Sequence, residues 1–478
     1  MNQQNEPTTD TVFIGSNNIP EELMQKRQIR PKENLINGLT GIINTGNTCY
    51  MNSAVQAFSH NYPLTNYLFT HENEILETLK KNARKIFMGS SAYDPKSLTS
   101  KIPLELRMKI QDDHYDPASL TDDECNLIYN STITAQLIKL LKNMWVRNCV
   151  VIPSSFKRVF LEARDKFFFG YEQHDAEEAY SCILQKMQEE LAEKQRVKFK
   201  SLKSSVEEFY DFKNNIASRI KNANHHDEKK KLYEEFKQKK KEMPMESLTI
   251  EAFREMKKYY DSCYSTITFI FCGFLHSSTN CPNPACGYSS NKFDPFLLLC
   301  LPMPPRHEHK INLAIDDCIH EYFKEERLDD NNLWLCEGCN HNVGAIKRLQ
   351  LWTAPPVLVI QLKRFGADRF NAARNNKDSR FIKYPMEHFD ISSIISPGNL
   401  DKNKCYTYRL QCVVNHTGGL SGGHYYSYCL DEDSDQWFRF DDEKVSLINK
   451  SVIVTNAAYL LYYMCEDMII KPTINIQN

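Results

Sequence analysis

The chain has almost no surplus charge. Its 59 Lys and Arg stand against 61 Asp and Glu, a net of −2 over 478 residues. A general nucleic-acid binder carries a basic excess, so no nucleic acid is expected as a partner. Long apolar runs are missing too. Stretches such as Ile267–Leu275 reach about half of the ~18 residues that a spanning helix needs, so no membrane is expected either. Met1 to Asp10 is polar, without the apolar core of a secretory signal, and neither terminus offers a lipidation motif. Sixteen cysteines are far too sparse for a disulfide scaffold. These absences point to a soluble protein of a reducing compartment, cytoplasmic and/or nuclear. Its cysteines are then free, metal-bound or catalytic.

Apolar residues (41%) and charged residues (25%) lie near globular averages, so a packed core is available. Residues 1–37 are rich in Asn, Gln, Thr and Pro and read as a disordered lead-in. Helical spacing begins soon after. Met51, Ala54, Val55 and Phe58 predict a helix over 48–60, and Ala176, Ala179, Tyr180, Ile183, Met187 and Leu191 predict one over 174–192. From about 195 to 262 the chain turns to Lys, Glu and Asn, with basic runs at Lys229–Lys231 and Lys237–Lys241. This stretch reads as an inserted set of solvated helices. Ile267–Leu275, Phe293–Leu301, Val357–Leu362 and Tyr406–Val414 are rich in β-branched and aromatic residues and predict strands. Helices first and strands second favour an α+β fold, a helical lobe against an antiparallel sheet.

Three segments carry chemistry. Cys49 stands at the entry of the first predicted helix, with Asn47 or Thr48 as N-cap. The helix dipole and free backbone N–H groups there lower a thiol pKa and favour the thiolate. A cysteine nucleophile needs a histidine base and an orienting group. Both occur in 406–442. Tyr408, Leu410, Cys412 and Val414 alternate along one strand. A glycine-rich loop at 418–423 leads into His424, and Gln436–Asp442 reads as the returning strand. Folding about Asp433 lays His424 opposite Asp442, with Asp441 one step away; register alone does not choose between the two carboxylates. Third, Cys281/Cys286 and Cys336/Cys339 are two cysteine pairs separated by a strand-rich stretch. Four thiolates can hold a tetrahedral structural Zn²⁺ in a zinc ribbon, although the first pair has a C-x₄-C gap. His225-His226 and His307-Glu-His309 read as solvent-facing loop residues.

The motifs together resemble the ubiquitin-specific proteases. Gly38-Leu-Thr-Gly-Ile-Ile-Asn-Thr-Gly-Asn-Thr-Cys49-Tyr-Met-Asn-Ser is similar to their Cys box, and Tyr406–Asp442, with Gly422-Gly-His424-Tyr, to their His box. Gly170-Tyr-Glu-Gln-His-Asp-Ala-Glu-Glu-Ala179 resembles the Gln-Asp box, and Val357–Phe365 the strand before the His box. The four come in family order and cover about Gly38 to Glu466.

The resemblance implies a papain-like α+β fold: a helical thumb (about 38–194), the charged insertion (about 195–262), β fingers with a zinc ribbon (about 265–345) and an antiparallel β palm (about 346–466). A tail follows at 467–478. It implies ubiquitin and ubiquitinated proteins as partners, and hydrolysis of the bond after the C-terminal glycine of ubiquitin. Cys49 matches the nucleophile, His424 the general base, Asp441 the usual third member and Asn44 the oxyanion-hole side chain. Asp442 matches a position that assists the oxyanion in some relatives. Gln173, Asp175, Glu178, Phe365, His416 and Tyr425 fall among contacts to the ubiquitin tail, with 418–423 and Gly366–Arg380 as loops over it. The C-x₄-C gap departs from the family's usual two-residue spacing. A non-catalytic ubiquitin-binding scaffold is the first rival, disfavoured by the intact Cys49, His424 and Asp441. A zinc-ribbon module for nucleic acid is the second, disfavoured by the charge.

Overall fold

The computed structural model describes residues 13–15, 38–88, 102–146, 149–163, 174–194, 198–200, 203–306, 312–329, 332–365, 377–399, 404–419 and 422–468. Of the lead-in before residue 38, Phe13–Gly15 is a short strand parallel to Lys198–Lys200; the rest lies outside the described residues. So do His307–His309 and all but the first two residues of the 467–478 tail.

Helix α1 (Cys49–Ser59) is the centre of the helical lobe. All eleven of its residues are buried, so the apolar stripe Met51, Ala54, Val55, Phe58 is only its inward half. Helix α2 (Ala176–Leu191) buries its predicted face against it, with Phe58 stacked on Tyr180 at 5.3 Å. Such a pair adds about 0.5–1.5 kcal/mol beyond its area. Near the end of α2 the buried Glu190 accepts the backbone N–H groups of Ile133 and Thr134 at 2.8 Å each. It thereby caps the helix Ile133–Val146.

The charged stretch folds into α3 (Ser204–Asn222), α4 (His226–Glu242) and α5 (Pro244–Cys263). It is less solvated than its composition suggests. Ala252, Met256 and Tyr260 of α5 form a buried cluster with Cys272, Phe274, Phe293 and Trp352 of the adjoining sheet. Its basic runs are partly neutralised by ion pairs, Lys239 to Glu208 at 3.0 Å and Lys240 to Glu251 at 2.8 Å. His225 and His226 are exposed, as expected, but not in a loop: His225 is the N-cap of α4 and His226 its first residue.

Two sheets follow. The fingers sheet pairs β1 (Gly273–Asn280) with β2 (Ser289–Phe296) and β4 (Ala345–Thr353), and Glu326–Leu328 closes its edge. The palm is eight-stranded. Its path runs β9 (Lys444–Ile448), β8 (Gln436–Asp441), β7 (Gly422–Asp431), β6 (Thr407–Gly419), β10 (Ala458–Cys465), β5 (Val357–Lys363), β3 (Leu299–Pro302), and Phe389–Asp390 pairs with β6 off that path.

Several strand expectations need correction. Ile267–Leu275 is not one strand: Thr266–Phe271 is a helix, and β1 starts at Gly273. A run that is apolar on every side has no period to read. Ser265, whose side chain accepts the Thr268 N–H at 3.1 Å, sets the helix. Phe293–Leu301 is two strands that change sheets at Leu297-Leu298. The palm is antiparallel except for one pair, β3 beside β5. The alternation Tyr408–Val414 is interrupted by a bulge at Gln411, and both faces of β6 are buried there. The described glycines of the 418–423 segment are paired, Gly418 with Gly423 and Gly419 with Gly422, and 420–421 lie outside the described residues.

Candidate active site

Asn44 and Cys49 sit where the helical lobe packs on the palm; we call this seam the cleft. The Asn44 side-chain oxygen accepts from the backbone N–H of Gly46 at 3.1 Å and of Thr48 at 3.0 Å. That turn fixes the amide, so its Nδ2 points away and donates to Asp442 Oδ2 at 2.9 Å. Thr48 is the N-cap of α1, but its hydroxyl accepts from Thr45 N–H in the loop and makes no cap bond. The backbone N–H groups of Cys49 and Tyr50 in the first turn face the Cys49 sulfur.

Helix α1 lies on β7, where the Ser427 hydroxyl donates to the Ser53 carbonyl at 3.1 Å. This contact sets β7 against the helix, with the Tyr425 backbone N–H at the Cys49 thiol and His424 the adjacent residue along β7. His424 Nε2 lies 2.6 Å from Asp441 Oδ1. A carboxylate only accepts, so that nitrogen carries the proton, and Nδ1 remains as the ring atom for proton transfer. Arg439 holds the other Asp441 oxygen at 2.6 Å and lies over the Tyr426 ring at 4.4 Å. Burial alone would raise the Asp441 carboxyl, but the bonds from His424 and Arg439 win and hold it below the usual carboxylate range.

The hairpin register differs by one from the sequence expectation. Ser427 pairs with Phe440 and Asp431 with Gln436, which places Tyr426, not His424, beside Asp441. His424 is therefore the same-face diagonal neighbour of Asp441, within side-chain reach. The cause is a four-residue turn, 432–435, closed by Asp435 at φ 53°. Asp442 has left the strand and sits in the next turn at φ 51°. Its carboxylate still lies within 4.8 Å of the ligand atoms of His424 and Asp441.

Cys49 departs from expectation. It is 3% exposed. Burial pushes its thiol above the ordinary value, the Asp442 carboxylate adds to this, and backbone N–H groups of Tyr425, Tyr50 and Cys49 only partly oppose it. The helix start does act in the expected direction, but desolvation outweighs it.

Beside the cleft, Asp175 is the N-cap of α2, accepting the Glu177 N–H at 2.8 Å. It also accepts the Tyr459 hydroxyl at 2.5 Å and the Tyr425 hydroxyl at 3.5 Å. It is thus built into the wall, whereas Glu178 is exposed. His416 lies against Tyr425 (4.5 Å) and Phe365 (5.2 Å), and Lys377 donates to its carbonyl. Burial, with Lys377 and His424 nearby, holds the His416 ring down to about 4, so it is neutral. A Cβ at Gly423 would come within 2.1 Å of His416 Nε2, so this close approach needs glycine. Gln173 and 366–376 lie outside the described residues.

The sulfur atoms of Cys281, Cys286, Cys336 and Cys339 lie within 4.8 Å of one another and could hold a metal ion. Cys281 and Cys339 are 4.0 Å apart, and Cys286 and Cys336 3.7 Å. Sulfurs at the corners of a tetrahedron with Zn–S of ~2.3 Å stand about 3.8 Å apart, so the set fits zinc. The C-x₄-C gap is taken up locally: Asn283 accepts the Ala285 N–H through its side chain and the Cys286 N–H through its carbonyl. Gly338 lets the second knuckle approach, since a Cβ there would meet Cys286 Sγ at 2.8 Å.

Sequence reasoning missed Asn52 and Arg439. Asn52 follows Cys49 by three residues, one turn along the same helix face, which is the only signal the sequence offers for it.

A thiol at a helix start, packed against the strand that carries a hydrogen-bonded His–Asp pair, is an arrangement suited to a thiol hydrolase. The family model described as ubiquitin carboxyl-terminal hydrolase matches residues 40–463. A relative from Acanthamoeba polyphaga mimivirus, named a "probable ubiquitin carboxyl-terminal hydrolase", is 48% identical over 468 residues, 98% of each chain. Human ubiquitin carboxyl-terminal hydrolase 2 is 28% identical over 429 residues, which is 89% of this chain and 55% of that protein. In fold, the chain is similar to the yeast SAGA DUB module (TM-score 0.54, 21% identity, 92% of this chain and 71% of that one). It is also similar to the SAGA Ubp8/Sgf11/Sus1/Sgf73 DUB module bound to ubiquitin aldehyde (TM-score 0.52, 23% identity, 90% and 70%). The chain belongs to the ubiquitin carboxyl-terminal hydrolase family and is a cysteine-type deubiquitinating enzyme. Among the described residues no helix is long and apolar enough to cross a membrane.

Proposed function

We propose that this enzyme hydrolyses the bond after the C-terminal glycine of ubiquitin on protein conjugates or chains, with Cys49 as nucleophile and His424 as general base. The observation that carries this is the 2.6 Å bond from His424 Nε2 to Asp441, which leaves Nδ1 for the thiol. Burial disfavours the Cys49 thiolate, so His424 takes the thiol proton as sulfur attacks the carbonyl carbon. A tetrahedral oxyanion forms, stabilised by the second N–H of the Asn44 amide and backbone N–H groups at the start of α1. The C–N bond breaks and His424 gives its proton to the leaving amine. Water then attacks the thioester, losing a proton to His424; the C–S bond breaks, the thiol regains the proton, and the ubiquitin carboxylate departs. Asp441 holds the imidazole and stabilises its charged form.

The ubiquitin tail would lie over Tyr425, His416 and Phe365, with Asp175 acting mainly by fixing Tyr425 and Tyr459 and Glu178 offering an exposed charge to the basic tail. Cys281, Cys286, Cys336 and Cys339 would hold one structural zinc that takes no part in the chemistry. Ubiquitin bearing a C-terminal electrophile should label Cys49 and none of the other fifteen cysteines. Adduct elsewhere, with Cys49 unmodified, overturns the assignment.

A further inference from the structure

We propose that Asn52 is a positioning residue of the hydrolytic reaction, acting through Asp442. The inference rests on the roles proposed above for Cys49 and for the Asn44/Asp442 side of the cleft.

Asn52 is 2% exposed and lies in α1, one turn after Cys49. Its Nδ2 donates to Asp442 Oδ1 at 2.8 Å and, at 3.3 Å, to the Ile42 carbonyl. The other Asp442 oxygen takes the Asn44 amide at 2.9 Å. Each carboxylate oxygen therefore has its own amide donor, from segments on either side of the nucleophile. The Ile42 N–H in turn donates to the Asp442 carbonyl at 2.9 Å. One side chain thus ties together the nucleophile helix, the strand Gly41–Ile42 that leads to Asn44, and the turn that follows Asp441.

Two observations separate this from a plain structural tie. The Asn52 side-chain oxygen is buried with no hydrogen-bond partner. Burying an unpaired acceptor is unfavourable, so the residue is a poor choice for stability alone. And Asp442, which Asn52 grips, holds a left-handed backbone at φ 51°. Asp adopts this conformation in turns more readily than most residues, and here the Asn44 and Asn52 amides fix which way its carboxylate points. Without Asn52 the Asp442 carboxylate loses the donor on Oδ1 and is free to turn. Its charge then moves relative to the Cys49 sulfur, on which it already acts. The Asn44 amide, bonded to the other oxygen, moves with it. Asn52 therefore sets the register between nucleophile and oxyanion side, and displacements near 1 Å at such a register cost up to ~10²-fold in rate.

The test is a double-mutant cycle with a ubiquitin C-terminal fluorogenic amide. Asn52→Ala should lower kcat by ~10–10²-fold with KM changed by about twofold or less. In an Asp442→Ala background the same change should lower kcat no further, because its target is gone. Thermal stability of all four proteins serves as the fold control, and Asn52→Ser replaces Asn52→Ala if the latter does not fold. Unchanged kcat in Asn52→Ala, or an equal loss in both backgrounds, overturns the proposal and leaves the assignment of Cys49 and His424 standing. That assignment is checked separately: the electrophilic ubiquitin probe should still label Cys49 in the Asn52 variants, and failure to label Cys49 in the parent enzyme sinks the assignment itself.

Discussion

The cleft and the fingertips hold their key side chains by opposite means. In the cleft, α1 is wholly buried, and chain segments nearly four hundred residues apart are bonded side chain to side chain, as in Asn44 to Asp442. At the fingertips the two short strands Trp334–Cys336 and His341–Val343 have little beneath them. Leu333 and Leu335 are exposed, Trp334 stacks on Tyr288, and Cys336 is the buried member of the strand pair. Two short strands cannot build a core, so the cysteine cluster must supply the cohesion. The cleft is therefore sensitive to chemistry and robust in fold; the fingertip is the reverse.

Changes to the cleft should have the largest effect. Cys49→Ala should abolish turnover yet retain ubiquitin binding, and His424→Ala should come close to it, because the two act as a unit. Residual activity above about a thousandth of the parent value in either variant would break the contrast. Asn44→Ala should lower kcat by ~10²–10³ with little change in KM, as for a donor used in the transition state. A rise in KM at constant kcat would make Asn44 a binding residue.

At the fingertip, freshly purified protein should contain close to one zinc per chain. Stripping it should loosen the fingers first and lower turnover of whole ubiquitin, while Cys49 still reacts with a small thiol reagent. No zinc with full activity on ubiquitin would remove the contrast at its other end.

The smallest expected effect lies in neither region. Burial, against the bonds from Ile133 and Thr134, lifts the Glu190 carboxyl to about 7 from an ordinary value of 4.5. Between these values the folded state binds more protons than the unfolded chain, so stability falls as pH rises from about 4.5 to 7. The loss is on the order of 1–3 kcal/mol. Glu190→Gln should flatten that part of the Tm-against-pH curve; an unchanged slope would mean that the buried carboxyl ionises normally.

Cys49 at a helix start and His424 after a glycine-rich loop were legible from local sequence; Asn44 came only through the family resemblance, and hairpin register left Asp441 and Asp442 both open until the resemblance favoured Asp441. What the sequence concealed depended on depth or on exact turn geometry. The Cys49 thiol is raised because the helix end is buried, and burial has no local signature. The 432–435 turn shifted the hairpin by one, which residue types alone did not reveal. Thr266–Phe271 read as strand because a fully buried helix and a buried strand look alike over six residues. Half of the grip on Asp442 was hidden in Asn52, an ordinary polar residue inside a helix.

The placement of the cleft residues also has a meaning in time. Asn44, Cys49 and Asn52 come early in the chain, and His424, Asp441 and Asp442 close to its end. At roughly 5–20 residues per second, a ribosome needs about 20 to 80 s to travel from the thiol to the carboxylates. For nearly all of that interval the nascent chain has its thiol but neither the imidazole nor the carboxylates. A chain that stops short of Asp441 never acquires the pair. On the roles proposed for Cys49, His424 and Asp441, birth order leaves the unfinished chain without its catalytic pair.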